Sequence, residues 1–364
     1  MAGGRRRRID LALQGGGAHG AFTWGVLDRL LEDERIEFDA VSGTSAGAMN
    51  AVVLADGLAA GGRRLAREKL RRFWGRVSQV AAAGGALNAL FGDWAVSGSP
   101  LAWYLDWVTR VFSPYQFNPL DINPLRDIVA SEVDFERVRR FDRLQIFVSA
   151  THVRTGRLRE FRKHELSVEA VMASACLPLL FRAVEIDGEA YWDGGYVGNP
   201  SLLPLVAESP AHDLVLVQIN PSNRAEVPSS AQQILDRLNE ITFNSSLQAE
   251  IRMAAFVARL VDQGRLPHGR GPGEYKRVNL HRIALSDALK GLTAGSKVVT
   301  DYDFLLKLQA AGKKAARYAE RRAAKEAAIK AATQTPAKAA APAKKAAKPA
   351  VETAPKKPAK PTAK

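Results

Sequence analysis

The stretch Ile9-Asp10-Leu11-Ala12-Leu13-Gln14-Gly15-Gly16-Gly17-Ala18-His19-Gly20-Ala21-Phe22 decides the fold. Ile9 to Leu13 is a short apolar run that ends in three consecutive glycines. Ala21 to Leu31 then carries apolar residues at Phe22, Val26, Leu27, Leu30 and Leu31, one face of a 3.6-residue repeat. This reads as strand, glycine turn, helix. The pattern recurs at once, with Phe38 to Val41 as strand, Ser42 to Gly47 as turn and a small-residue helix through Ala48 to Leu58. Two successive strand-turn-helix units predict an α/β fold with a mainly parallel sheet covered by helices.

Further strands are expected at Gln145 to Ala150, Leu158 to Phe161, Val184 to Ile186 and Leu214 to Ile219, and Asp187-Gly188 is a hairpin turn signal. Helical patterns occupy Val168 to Ala175, about 230 to 262 and about 299 to 311. The segment 81–117 stands apart because Trp94, Trp103 and Trp107 supply half of the six tryptophans. Such a run suits a core helix and a lid or lipid-facing segment equally.

With 364 residues, 46% hydrophobic and 25% charged, the chain has the composition of a soluble globular protein. A single cysteine, Cys176, excludes an internal disulfide framework and fits a reducing compartment, so a cytoplasmic location is expected. No export signal and no membrane-spanning run of about 18 apolar residues is read. The net charge of +14 is unevenly placed. Residues 1–8, a basic N-terminal arm, carry +4, residues 312–332 carry +5 and residues 333–364 carry +7, which leaves 9–311 at −2. The folded body is nearly neutral and the basicity belongs to the ends. Residues 312–332 favour a helix by propensity and lack a substantial apolar stripe, so an exposed basic helix is expected there. The Ala/Lys/Pro-rich 333–364 should be disordered.

Gly43-Thr44-Ser45-Ala46-Gly47 follows a strand and opens a helix. Flanking glycines permit a tight turn that projects Ser45 into a cleft, and the helix start offers N–H groups to a developing oxyanion. Taken alone, the motif could equally be a glycine-rich helix start with a capping serine. The earlier loop, Gly15-Gly16-Gly17-Ala18, exposes backbone N–H groups as an oxyanion hole requires, or as a phosphate cradle does. No ribose-binding acid and no P-loop lysine completes a nucleotide motif. A serine needs a base within hydrogen-bond reach. Among six histidines, His19 lies beside the glycine loop and stands as a rival to Asp193, which ends a hairpin strand before Gly194 and Gly195. By itself Asp-Gly-Gly is a turn signature. Cys176 sits in an apolar setting that suits a buried structural thiol.

Three motifs in this order, the glycine loop, G-x-S-x-G and D-G-G, resemble the patatin-like phospholipase family, as do Ala173 to Pro178 and the run Asp213 to Asn220 of members with a longer C-terminal region. The resemblance implies a three-layer α/β/α fold over 9–311, with its core motifs in 9–206. It also implies a Ser-Asp dyad of Ser45 and Asp193, with oxyanion donors at Gly15, Gly16, Gly17 and Ala18, motif glycines at Gly20, Gly43, Gly47, Gly194 and Gly195, and no metal or cofactor. His19 departs from the arginine or lysine that many members carry. The implied activity is lipid acyl hydrolysis through an acyl-enzyme. Acyl thioesters or a storage polyester are the alternative substrates, and a non-catalytic scaffold at an anionic surface is the alternative role. A carboxylate at its ordinary pKa of about 3.9 is a poor base, so the dyad requires a desolvated site.

The basic tails have no aromatics to stack on bases, so their partner would be a polyanion met through charge alone. For a lipid enzyme, an anionic membrane or lipid-granule surface is the more economical partner and nucleic acid the less.

Overall fold

A computed structural model of the chain describes residues 6–83, 112–269, 274–289, 292 and 295–334. The chain divides into two units, Met1–Arg321 and Arg322–Lys364, and the described strands all lie in the first.

Eight strands form one sheet: β1 (Arg7–Leu13), β2 (Ile36–Gly43), β3 (Gln145–His152), β4 (Leu158–Arg162), β5 (Val184–Ile186), β6 (Glu189–Asp193), β7 (Asp213–Gln218) and β8 (Asn279–Ala284). Their order is β5-β6-β3-β2-β1-β7-β8, and β4 also pairs with β3. The pairs from β3 through β2, β1 and β7 to β8 are parallel, whereas β4, β5 and β6 run antiparallel to their neighbours. The expected hairpin joins β5 to β6, and both of its turn residues, Asp187 (φ 53) and Gly188 (φ 79), adopt the left-handed conformation of the tightest hairpin turns.

The helices that position the site and the core are α1 (Gly20–Glu32), α2 (Ala46–Ala83, kinked at Gly61 and Gly62), α3 (Val168–Ser174), α4 (Ala231–Asp262) and α5 (Tyr302–Gln334). Alternation along the strands divides them between the two sheet faces. Ile9, Leu11, Leu13, Val215 and Val217 join the large core with α1, the N-terminal part of α2, and α3. Ala12, Ala40, Leu214 and Leu216 face the other way, onto Leu202, Leu205 and Leu247 of α4. Parallel strands buried on both faces need helices on both sides, which makes the fold three layers deep.

Two expectations are corrected. Of the expected N-terminal arm, the described residues 6–8 belong to the fold, because Arg7 and Arg8 open β1. Arg6, Arg7 and Arg8 pair with Glu37, Asp213 and Asp39 respectively, so neighbouring strands neutralise that cluster. The basic stretch 312–332 is not exposed throughout, since its residues up to 320 belong to α5 and pack on α1. Ala316 is fully buried, a methyl on Gly312 would lie 2.1 Å from the Phe22 carbonyl oxygen, and Lys313 bridges Asp28 and Glu32. Over 312–320 the helix docks through glycine and alanine contacts and charge pairs, whereas its first turns bury Leu305 and Leu308 in the core. Beyond the expected strands, Asn279-Leu280-His281-Arg282-Ile283-Ala284 forms β8 and extends the sheet beside β7. Residues 84–111 of the aromatic segment and the tail from 335 lie outside the described residues. Among the described residues, no helix is long and apolar enough to cross a membrane.

Candidate active site

Strand register brings the motifs together. Leu13 pairs with Gly43 across β1 and β2, so the glycine loop after the first strand and the serine turn after the second emerge side by side. Gly43 also pairs with Val148 of β3, and two residues further on Ala150 pairs with Asp193 of β6. Ser45, two residues past Gly43, therefore stands level with Asp193 across the end of β3. The serine hydroxyl stands close enough to the carboxyl to pull its pKa down.

The turn that carries Ser45 is strained. Its φ of 53° is a left-handed conformation that a non-glycine residue adopts at a cost of about 1–3 kcal/mol. The surroundings hold it there. The Ser45 N–H donates to Ser174 Oγ at 2.9 Å, Thr44 Oγ1 donates to the Gly198 carbonyl at 2.6 Å and the Gly47 N–H donates to the Thr44 carbonyl at 2.8 Å. Gly47 begins α2 so close to β1 that a methyl there would lie 2.0 Å from the Leu13 carbonyl oxygen. Gly43 ends β2 and Gly20 opens α1 where it meets Ala46.

Asp193 is 1% exposed. Its backbone is fixed by its N–H donating to the Cys176 carbonyl at 2.7 Å and by Thr151 Oγ1 donating to its carbonyl at 2.7 Å. The Gly195 N–H donates to Oδ1 at 2.6 Å. Gly194 passes against β3, where a methyl would be 2.1 Å from the Ser149 carbonyl oxygen. Burial pushes the Asp193 carboxyl up to about 7, against the opposing pull of the Gly195 N–H, the Ser45 hydroxyl and the Lys297 ammonium. A carboxyl at that level suits proton transfer at neutral pH.

The glycine loop is stabilised from below by Gln14, which is fully buried. Its Oε1 accepts the N–H groups of Ile219 (2.8 Å) and Asn220 (2.7 Å), and its Nε2 donates to Asn244 Oδ1 (2.9 Å) and the Asn199 carbonyl (3.3 Å). Gly15 is a correction to the expected donor set, because its N–H is committed to Asn199 Oδ1 at 2.7 Å. Gly16, Gly17 and Ala18 remain, and among the described residues their N–H groups meet no protein acceptor. A run of N–H groups at the start of a helical turn is a receptor for an oxyanion.

His19 is buried, and its Nε2 is hydrogen-bonded with Ser296 Oγ at 2.8 Å, away from the serine turn. Burial, reinforced by Lys297, pushes the imidazole down to about 3, so it is neutral at neutral pH. Cys176 is buried with its Sγ 3.0 Å from the Arg182 carbonyl oxygen, and burial pushes its thiol up to about 12, an inert structural group. Among the described residues no cluster of three or more His, Cys, Asp or Glu could hold a metal ion.

Sequence reasoning missed Asn199, Phe243, Asn244, Ser296 and Lys297, which line or brace the site. Asn220 lies in a stretch quoted for its resemblance, but nothing singled it out. Isolated polar residues on helices and loops read as solvent-facing, and no local pattern reveals that these are buried or brought to the glycine loop.

A serine on a strained strand-to-helix turn at the carboxyl ends of a parallel sheet, near a buried carboxyl and backbone N–H groups, is an arrangement that suits a hydrolase. The chain belongs to the patatin-like phospholipase family, whose model matches residues 11–206, and at the level of the family it is a lipid hydrolase. Among solved structures it is similar to VipD from Legionella pneumophila, at 16% identity and a TM-score of 0.37 over 84% of this chain and 67% of that one. A second is the type III effector protein ExoU, at 15% identity and a TM-score of 0.37 over 88% and 53%. A third is the ExoU–SpcU complex of the Pseudomonas aeruginosa type III secretion system, at 19% identity and a TM-score of 0.32 over 68% and 52%. The chain spans about half to two thirds of the length of these proteins. No curated protein matches it.

Proposed function

We propose that this protein hydrolyses carboxylic esters of lipids, with Ser45 as nucleophile and Asp193 as its base. The observation that carries the reading is the register that brings the strained Ser45 beside a buried carboxyl poised near neutrality. Ser45 Oγ attacks the ester carbonyl carbon while its proton passes to Asp193. The carbonyl oxygen becomes an oxyanion received by the N–H groups of Gly16, Gly17 and Ala18. Collapse of the tetrahedral intermediate breaks the bond to the alcohol, which leaves with the proton from Asp193. Water then attacks the acyl-serine, Asp193 again taking the proton, and collapse frees the acid and restores Ser45.

His19 takes no part as a base, since its imidazole is bonded with Ser296. To test the reading, a fluorophosphonate probe is applied to the full chain, and hydrolysis of p-nitrophenyl esters and of total lipid extract is followed in Ser45→Ala, Asp193→Asn and His19→Ala. Labelling at Ser45, background activity in Ser45→Ala and a loss of about 10²–10⁴-fold in Asp193→Asn are expected. An active Asp193→Asn with a dead His19→Ala would overturn the reading.

A further inference from the structure

The single turn Gly295–Val298 lies directly on the glycine loop. A methyl on Gly17 would stand 2.4 Å from the Lys297 carbonyl oxygen, and Ser296 holds His19. From this turn the Lys297 side chain runs inward. Its Nζ donates to Asn220 Oδ1 at 2.5 Å and lies 5.9 Å from the centroid of the Phe243 ring. Asn220 passes the contact on, donating from Nδ2 to the Gly15 carbonyl at 2.9 Å. Phe243 completes the circuit, because its ring edge fills the space where Gly195 has no side chain, next to the base.

We propose that Lys297 is a positioning residue of this hydrolase. Its ammonium, anchored on Asn220, favours the ionised form of Asp193, and the same anchorage holds the glycine loop in the shape that presents its N–H groups. The inference rests on the Ser45–Asp193 reading above.

A carboxylate removed from water takes up a proton unless a countercharge stands near it. Lys297 is the cation that acts on Asp193. The other ionisable groups beside Asp193 are the Cys176 thiol and the Tyr196 phenol, both pushed up by burial and so uncharged at neutral pH. Burial pulls the Lys297 ammonium below its ordinary value, Arg224 adds to that, and Glu240 and Asp236 of α4 and Asp193 oppose it; His19 also faces it. Glu240 is already matched by Arg224 and Arg237. The charge of Lys297 is therefore not spent on that pair. A lysine in this place also explains why α4 and the Gly295–Val298 turn, both beyond residue 206, belong to the site.

The experiment is kcat/KM against pH on a soluble p-nitrophenyl ester, with the full chain as wild type, Lys297→Met, Lys297→Gln and Lys297→Arg. Folding is checked by melting temperature and by fluorophosphonate labelling. The wild-type profile should rise through a midpoint near 7. Removing an opposite charge should move that midpoint up by about one unit or more in Lys297→Met and Lys297→Gln, so that their loss is about tenfold larger at pH 6 than at pH 9. Lys297→Arg should keep the wild-type midpoint. An equal loss at every pH with an unmoved midpoint would overturn the proposal. Should Lys297→Met fail to fold, Lys297→Gln, which retains a hydrogen-bonding group without charge, decides the matter. An active Asp193→Asn enzyme would instead bring down the dyad itself, whatever the lysine variants do.

Discussion

The backbone N–H of Ser45 donates to the hydroxyl of Ser174, 129 positions later in the chain, at 2.9 Å. Ser174 closes α3 and is fully buried. The strained turn is thus braced by a helix that the family motif places just before the aspartate hairpin. Ser174→Ala would leave that N–H without its acceptor, at a cost of about 1–3 kcal/mol. We expect kcat to fall about tenfold or more with KM little changed, and fluorophosphonate labelling of Ser45 to slow in proportion.

Stability and activity should respond to pH in opposite senses. Burial raises both Asp193 and Asp10 to about 7, Asp10 against the pull of the Ser209 hydroxyl and of Lys276. An unfolded aspartate titrates near about 3.9. The folded chain therefore binds more protons between these limits, and the stability present below about pH 4 declines as pH rises through about 7. Asp213 works the other way: although burial opposes its ionisation, His281 and Arg7 hold it well below the carboxylate range, so its contribution is lost as pH falls below about 4. In denaturant melts at pH 5 and pH 8, Asp193→Asn should narrow the difference seen in wild type by lifting the pH 8 value. Ester hydrolysis in wild type should meanwhile rise over the same interval.

Gly25 and Gly312 set the distance between α1 and α5. A methyl on Gly25 would lie 1.9 Å from the Gln309 carbonyl oxygen, and one on Gly312 would lie 2.1 Å from that of Phe22. Gly25→Ala and Gly312→Ala should each destabilise the fold by about 1–3 kcal/mol through overpacking. Because both force the same pair of helices apart, the double variant should lose less than the sum. Thermal melts of the four proteins check this, with activity per folded molecule unchanged.

The docking of α5 also relocates the cut that tests the basic tail. A chain ending at 311 would lose Lys313 and Ala316, which pack on α1, so the deletion belongs after Gln334. The segment removed holds eight lysines and one acidic residue, Glu352. Each basic residue near an anionic surface contributes about 1 kcal/mol. Full-length protein should sediment with vesicles containing anionic lipid at low salt and release at high salt, and the chain ending at 334 should not bind. Equal binding by both would remove the tail from membrane attachment.

The two strand-turn-helix units at the N-terminus were legible because each switches from an apolar run to a 3.6-residue repeat across glycines. The partnership of Ser45 and Asp193 was not legible from spacing and came from the order of three motifs. Its physical basis is the pairing of β3 with both β2 and β6, a tertiary fact that local pattern does not encode. Asn244 shows why the remainder was hidden. It sits in Thr242-Phe243-Asn244-Ser245-Ser246, a polar-looking turn of helix, yet it is 4% exposed and bonded to Gln14. Likewise, Arg6 to Arg8 look like a free cationic end until the sheet sets a carboxylate beside each.

Gln14 has a consequence for how this protein can be divided. Three of the four partners of its side chain, Ile219, Asn220 and Asn244, lie past residue 206, where the family match stops. Strand β7, which flanks β1 on the side away from β2, lies past it as well. A fragment trimmed to the recognised segment would turn the central strand into a raw edge with unpaired amides and carbonyls, a template for self-association. Expressed alone, such a fragment should collect in inclusion bodies, so the boundary that similarity draws is not one at which this chain can be cut.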